Sequence, residues 1–209
     1  MSRRSFAKSR FLGLSLAGGK TPRTHLAVVD YYANEDKLFL SHLVRDIGEE
    51  EGLSSNTVLL DIISKLNENI KYIAVDAPLT MPKCLRCKLQ CPGVEACDEK
   101  EILWMWDHYD GRAKTKRPNK IFTPYTERCV EQYVSSQLEQ KFNFDHAVGS
   151  NRAPLWARMQ FLKKRLKKVR MLEVFPRLNV WRIGRALKVS KTPLNYYKNS
   201  VDGAEYRSN

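Results

Sequence analysis

The segment KYIAVDAP, residues 71–78, constrains this chain more than any other. Tyr72, Ile73, Ala74 and Val75 follow one another without a polar break, so both faces of the strand they form must be kept from water. Such strands sit in the middle of α/β sheets. Asp76 ends the strand and Ala77-Pro78 turns the chain. A carboxylate there projects from the C-terminal edge of the sheet, where the ligand sites of α/β folds collect. The plainer role for the same residue is that of a turn former.

The flanking sequence supplies the rest of a sheet. FLGLSLA (11–17) alternates and meets Gly18-Gly19-Lys20, HLAVVDYY (25–32) is a second strand, and LFLSHLV (38–44) follows the turn YYANEDK. Ser54 or Ser55 caps a helix whose apolar stripe is Leu59, Ile62, Ile63, Leu66 and Ile70. Residues 83–120 break the rhythm and form an insertion. A helix is expected from Thr123, as cap, with Pro124 in its first position. A second follows in PLWARMQFLKKRLKK, with Leu155, Met159, Leu162 and Leu166 inward, and then a strand over 170–176. The predicted order is β-β-β-α-β-α-β: an α/β fold with a mixed sheet, helices on its faces and a small cysteine-rich insertion. Residues 1–10 form a basic tail and 11–209 one domain. Three antiparallel strands, a helix and a strand buried on both faces describe the ribonuclease H-like sheet.

Cys84, Cys87, Cys91 and Cys97 lie within fourteen residues, in the spacing C-x2-C-x3-C-x5-C. Thiolates this close suit a tetrahedral Zn²⁺, and four of them leave no open position for chemistry, so the zinc would be structural. Soft thiolates also suit an iron–sulfur cluster, but the spacing differs from the bacterial ferredoxin run. His108 is a possible substitute ligand, and Cys129 falls on a helix face. No apolar run reaches the roughly 20 residues of a membrane span, and no secretory signal core follows MSRRSFAKSR. The expected location is therefore the cytoplasm, where close cysteines favour metal over disulfide.

Charge is unevenly placed. Of a net +13, residues 152–191 hold thirteen Lys/Arg and a single acid, Glu173, whereas 34–68 carries eight acids against three bases. One face built for an anion follows, with a nucleic-acid backbone the commonest partner. Arg128, Arg152, Arg158, Lys163, Lys164, Arg165, Lys167 and Lys168 are the candidate phosphate contacts. Glu173 stands in MLEVF, where a bare carboxylate is costly without a metal or a cation such as Arg177. Asp76 and Glu173, with Glu127 as a third carboxylate, form the candidate set for two-metal phosphodiester hydrolysis with Mg²⁺ or Mn²⁺. A phosphate-binding loop and a serine nucleophile elbow are both absent, and His25, His42 and His146 show no ligand spacing. The other function these features allow is a catalytically inactive nucleic-acid-binding or regulatory module.

FLGLSLAGG, YIAVDAPLTMP, FTPYTER, GSNRAPLWARMQFL and LEVFPRL, in that order, resemble the domain-of-unknown-function 429 family, a group of predicted ribonuclease H-like nucleases. The resemblance covers most of 11–190. It implies a ribonuclease H-like fold and a divalent-metal site, with Asp76 one ligand and Glu173 a second. The family's strand-one frame, similar to G-I-D-x-A-G, reads G-L-S-L-A-G here, so Ser15 stands where an acid is usual. For the acid of a final helix the sequence offers Asp202 and Glu205.

Overall fold

Alternation and short turns produce an antiparallel meander of β1 (Lys8–Ser15), β2 (Thr24–Tyr32) and β3 (Lys37–Ile47) in the computed structural model. The structure describes residues 8–18, 24–66, 69–113, 123–140, 142, 144, 145, 147–149, 152–167 and 169–188, without the side chains of 109–113. Residues 1–7, 114–122, His146, Lys168, Asp202 and Glu205 lie outside that set. The turn after β2 is closed by the Glu35 N–H on the Tyr32 carbonyl at 3.1 Å, with Asp36 at φ 51°. Helix α1 (Ser55–Lys65) starts at Ser54, whose Oγ accepts the Thr57 N–H at 3.3 Å. Its apolar stripe ends at Leu66, because Ile70 already begins β4 (Ile70–Val75).

β4 runs parallel to β1, and β5 (Met171–Glu173) parallel to β4, giving a five-stranded mixed sheet in the order β3-β2-β1-β4-β5. Between β4 and β5 lie α2 (Lys83–Arg86), α3 (Lys100–Ala113), α4 (Cys129–Ser136) and α5 (Arg152–Arg165). The α/β expectation holds. Three boundaries differ. The insertion contains the helix α3. The helix expected from Thr123 begins at Cys129, after a turn in which the Thr126 and Glu127 N–H groups both donate to the Thr123 carbonyl. β5 stops at Glu173, since Phe175 caps a further helix, α6 (Pro176–Ala186), and its Pro176 takes the first position where no N–H is needed. The chain divides into two compact units, Met1–Glu173 and Val174–Asn209, and α6 belongs to the second.

The register sorts the strands' side chains by face. Leu12, Leu14, Leu26, Val28, Ile73 and Val75 form one layer and are buried with Val58, Leu59 and Ile63 of α1 and Met159 and Leu162 of α5. The two helices therefore cover the same face. On the opposite face Phe11 is paired with Val29 and Tyr72, and Val29 with Leu40. Gly13 is paired with Ala27 and Ala74, and Ala74 with Leu172. Neither buried core of the described residues includes any residue of this second face. The expectation of helices on both faces is thus met on one face of the first unit.

Gly18 sets how closely α5 approaches the end of β1. A Cβ there would stand 2.9 Å from Pro154 Cβ and 3.0 Å from the Leu155 backbone nitrogen, and backbone cannot swing aside. Gly18→Ala should cost about 1–3 kcal/mol in chemical denaturation by pushing α5 off the sheet. An unchanged midpoint would show that α5 docks more loosely than the structure has it.

Candidate functional site

The C-terminal edge of β1, β4 and β5 gathers the polar groups. Leu14 pairs with Val75, and the Asp76 N–H extends that ladder to the Leu14 carbonyl at 3.1 Å. Ser15 and Asp76 thus end adjacent parallel strands, Ser15 being exposed and Asp76 half-buried. Val75 pairs with Glu173, which brings the second candidate carboxylate to the same edge. Asp145, ahead of α5, is the second acid that acts on Asp76, after Glu173. Burial pushes the Asp76 carboxyl above its usual range, Arg152 pulls it down, and the charges of Glu173 and Asp145 push it up again. The Arg152 guanidinium stands 4.0 Å from Asp76 Oδ1.

Glu173 is already engaged. Its Oε2 accepts the Leu79 N–H at 2.9 Å and Arg128 Nη1 at 2.9 Å, and its Oε1 accepts Arg128 Nη2. Arg128, only 3% exposed, also donates from Nε to Glu131 at 2.7 Å and from Nη1 to the Thr80 hydroxyl at 3.0 Å. Burial opposes its charge, but the hydrogen bonds to Glu173 and Glu131 outweigh that and raise its pKa. Gln160 and Lys163 of α5 donate to the Leu79 carbonyl at 3.3 and 3.2 Å. The loop that follows Asp76 is therefore pinned by four side chains, from the residue capping α4, from α5 and from β5, and the acid before it has a fixed place.

Two expected phosphate ligands prove to be internal. Arg128 is the centre of the buried triad just described. Arg158 donates to Asn56 Oδ1 and the Ala17 carbonyl at 2.7 Å, to the Thr24 hydroxyl at 2.8 Å and to Ser55 Oγ at 3.4 Å, tying α5 to β1, β2 and α1. Arginine identity does not reveal burial, and these partners are distant in sequence. Glu127 Oε2 accepts the Thr123 N–H at 2.8 Å and closes its own turn. Lys163, Lys164, Arg165 and Lys167 are exposed, as a phosphate-contacting row requires.

Cys84 lies in α2, Cys87 caps its C-terminus, and Cys91 and Cys97 follow in coil. Burial and then the neighbouring thiols Cys97, Cys91 and Cys87 push the Cys84 pKa up, so the four share one corner. All are free thiols. Cys129 packs with Cys84 and Cys97 against Ile102 and Met105, and His108 stacks on Trp104 with ring centroids 4.9 Å apart. The donor chemistry suits zinc. As placed, however, no three His, Cys, Asp or Glu among the described residues are grouped to hold a metal ion, at the cysteines or around Asp76. At the sheet edge the arginines explain it: Arg128 and Arg152 occupy the positions from which cations would neutralise Glu173 and Asp76. For the Mg²⁺ or Mn²⁺ implied by the resemblance, Asp76 would be the ligand at this edge, with Glu173 held by Arg128 and the Leu79 N–H.

Among the described residues no helix is long and apolar enough to cross a membrane. No protein-family model, curated protein or solved structure matches the chain.

Proposed function

We propose that the protein is a nucleic-acid-binding, nuclease-like module built on a ribonuclease H-like sheet, with a carboxylate edge that no longer assembles a two-metal centre. The sheet order β3-β2-β1-β4-β5, with β2 antiparallel to its neighbours, supports the fold. The observation that carries the binding role is α5. Its apolar residues reach the core while Lys163, Lys164, Arg165 and the following Lys167 face solvent beside the pinned loop of Asp76. Such a row meets a phosphate backbone without reading base identity. Loss of cleavage is supported by Ser15 in place of an acid and by the commitment of Glu173 to Arg128.

A second function, metal-dependent cleavage, is favoured by one observation: burial and the charges of Glu173 and Asp145 push the Asp76 carboxyl up, and a divalent ion would relieve that. One set of assays separates the two. Reversing charge at Lys163, Lys164 and Arg165 together should weaken binding by roughly 10-fold or more for all sequences alike, and affinity should fall steeply between about 50 and 200 mM salt. Binding indifferent to salt would remove the nucleic-acid role. Wild type should show no cleavage in Mg²⁺ or Mn²⁺, so cleavage that disappears in Asp76→Asn would establish the enzyme instead. Metal analysis of the same chelator-free preparation reports whether the four cysteines carry zinc.

A further inference from the structure

The stretch between α2 and α3 is the least secured part of the first unit. Residues 87–99 form neither helix nor strand. Between 88 and 96 the described residues make one backbone hydrogen bond, accepted by the Val94 carbonyl from the Cys97 N–H at a loose 3.5 Å. The core beside it is small: Ile102 and Met105 are its fully buried members, and Cys84 and Cys97 pack against them. Two such side chains do not fix a stretch this long, and small folds of this kind are stapled by a metal or by disulfides. Two ion pairs lace its ends together, Lys83 to Glu99 at 2.6 Å and Arg86 to Glu101. The start of α3 therefore lies along α2, and Gly93, at φ 98°, turns the chain between them.

We infer that Cys84, Cys87, Cys91 and Cys97 hold one structural Zn²⁺ between them, and that the ion staples this stretch. Burial and then the thiols of Cys97, Cys91 and Cys87 raise the Cys84 pKa, so all three bear on it. Cys129 touches the same small core, but burial and then Glu101 and Glu131 raise its thiol, and none of the other four cysteines contributes. The ligand set is therefore these four and not the fifth. Lys83, Arg86 and Lys88 stand beside the ligands in sequence and offset the charge of the thiolates. As placed, no three of the thiols are grouped to hold an ion. Cys87 and Cys91 sit where few hydrogen bonds resist movement, so they can close on the metal, each ligand giving its thiol proton to solvent. The free energy of binding then becomes ordering free energy for the segment. Four thiolates fill a tetrahedron and leave no place for a substrate, so the ion's role is to hold. What it holds abuts the carboxylate edge. Thr80, which accepts from Arg128, lies just ahead of α2, and α3 meets α4 through Trp104 and Tyr133, with ring centroids 6.0 Å apart. The inference does not depend on what α5 binds.

The experiment uses the full chain prepared under reducing conditions without chelators. Elemental analysis should find about one zinc per chain. Cys84→Ser combined with Cys97→Ser should abolish it, and Cys129→Ser should retain it. Because the double variant can fail to fold, Co²⁺ added to the zinc-stripped wild type supplies a second measurement. Its visible spectrum should be that of a tetrahedral four-thiolate site. Cys91→Ser, at an exposed position that folding tolerates, should shift those bands and weaken Co²⁺ binding at least about tenfold, no less than the loss of an outer-shell partner does. Stripping the zinc should speed amide exchange over 83–106 and leave β1, β2 and β4 protected. A metal-free wild type with all five thiols open to alkylation overturns the inference, as does a brown protein carrying iron and sulfide. So does zinc that survives the loss of Cys84 and Cys97, a Co²⁺ spectrum that ignores Cys91→Ser, or zinc lost from Cys129→Ser, which would redraw the ligand set.

Discussion

Arg128→Met should remove about 3–5 kcal/mol of stability, because it leaves Glu131 and Glu173 buried with no cation between them. The loss would also free the Thr80 hydroxyl and loosen the loop that carries Asp76. Urea denaturation measures it, and a change under about 1 kcal/mol would show that the triad is not coupled to folding. Replacing a carboxylate has a different consequence. Burial pushes the Glu131 pKa up despite its bonds to Arg128, and its Oε2 has no hydrogen-bond partner among the described residues. One guanidinium thus serves two acids. A carboxyl whose folded pKa is raised contributes stability at low pH that is lost as pH rises through that pKa. Glu131→Gln mimics the protonated form, so it should cost less than about 1 kcal/mol and gain on wild type as pH rises.

The second large effect belongs to Asp30, buried on the helix-bearing face of β2. Arg10 donates to it from Nε at 2.7 Å and Nη2 at 3.0 Å, Ser41 at 2.7 Å, and Lys8 Nζ stands 3.5 Å away. The Arg10 hydrogen bonds hold its pKa far below the usual carboxylate range, burial notwithstanding. Asp30→Ala should therefore cost about 2–4 kcal/mol near neutral pH, leaving the Arg10 guanidinium largely enclosed. The sign with pH is opposite to that of Glu131. Depressed in the folded state, Asp30 contributes in full above its unfolded pKa, near the ordinary carboxylate value of 3.8, and its contribution fades as pH falls below that. The gap between wild type and variant should close in acid, and a gap independent of pH would contradict the pairing.

The meander and β4 were legible because burial imposes periods of two on β1 and β2 and an unbroken apolar run on β4. Asp30 was legible too and was passed over: in HLAVVDYY it shares the phase of Leu26 and Val28, so an acid on the buried face signalled a buried cation. Helix α3 was obscured by the cysteines and tryptophans around it, whose spacing suggests ligands before it suggests a face. The extra strand length assigned to VFP came from β-prone residues, while Pro176 was in fact starting α6. Asp76 and Glu173 were found from their positions at apolar strand ends. Asp145 was missed, since FNFDHAV carries no period. The roles of Arg128 and Arg158 were invisible for a physical reason: apart from Glu131, three residues on from Arg128, their partners lie 45 to 141 residues away, and no local pattern encodes such pairings.

Those separations carry a kinetic consequence. The three-stranded meander closes through short local turns, but Arg158 reaches back 134 residues to Thr24 and 141 to Ala17. Chain-closure entropy must be spent before such contacts return anything. The α5 segment therefore joins a sheet whose first strands are already paired, and Arg158 acts as a latch that holds after assembly rather than a guide towards it. Its contribution falls mainly on how slowly the native protein opens, not on how fast it forms.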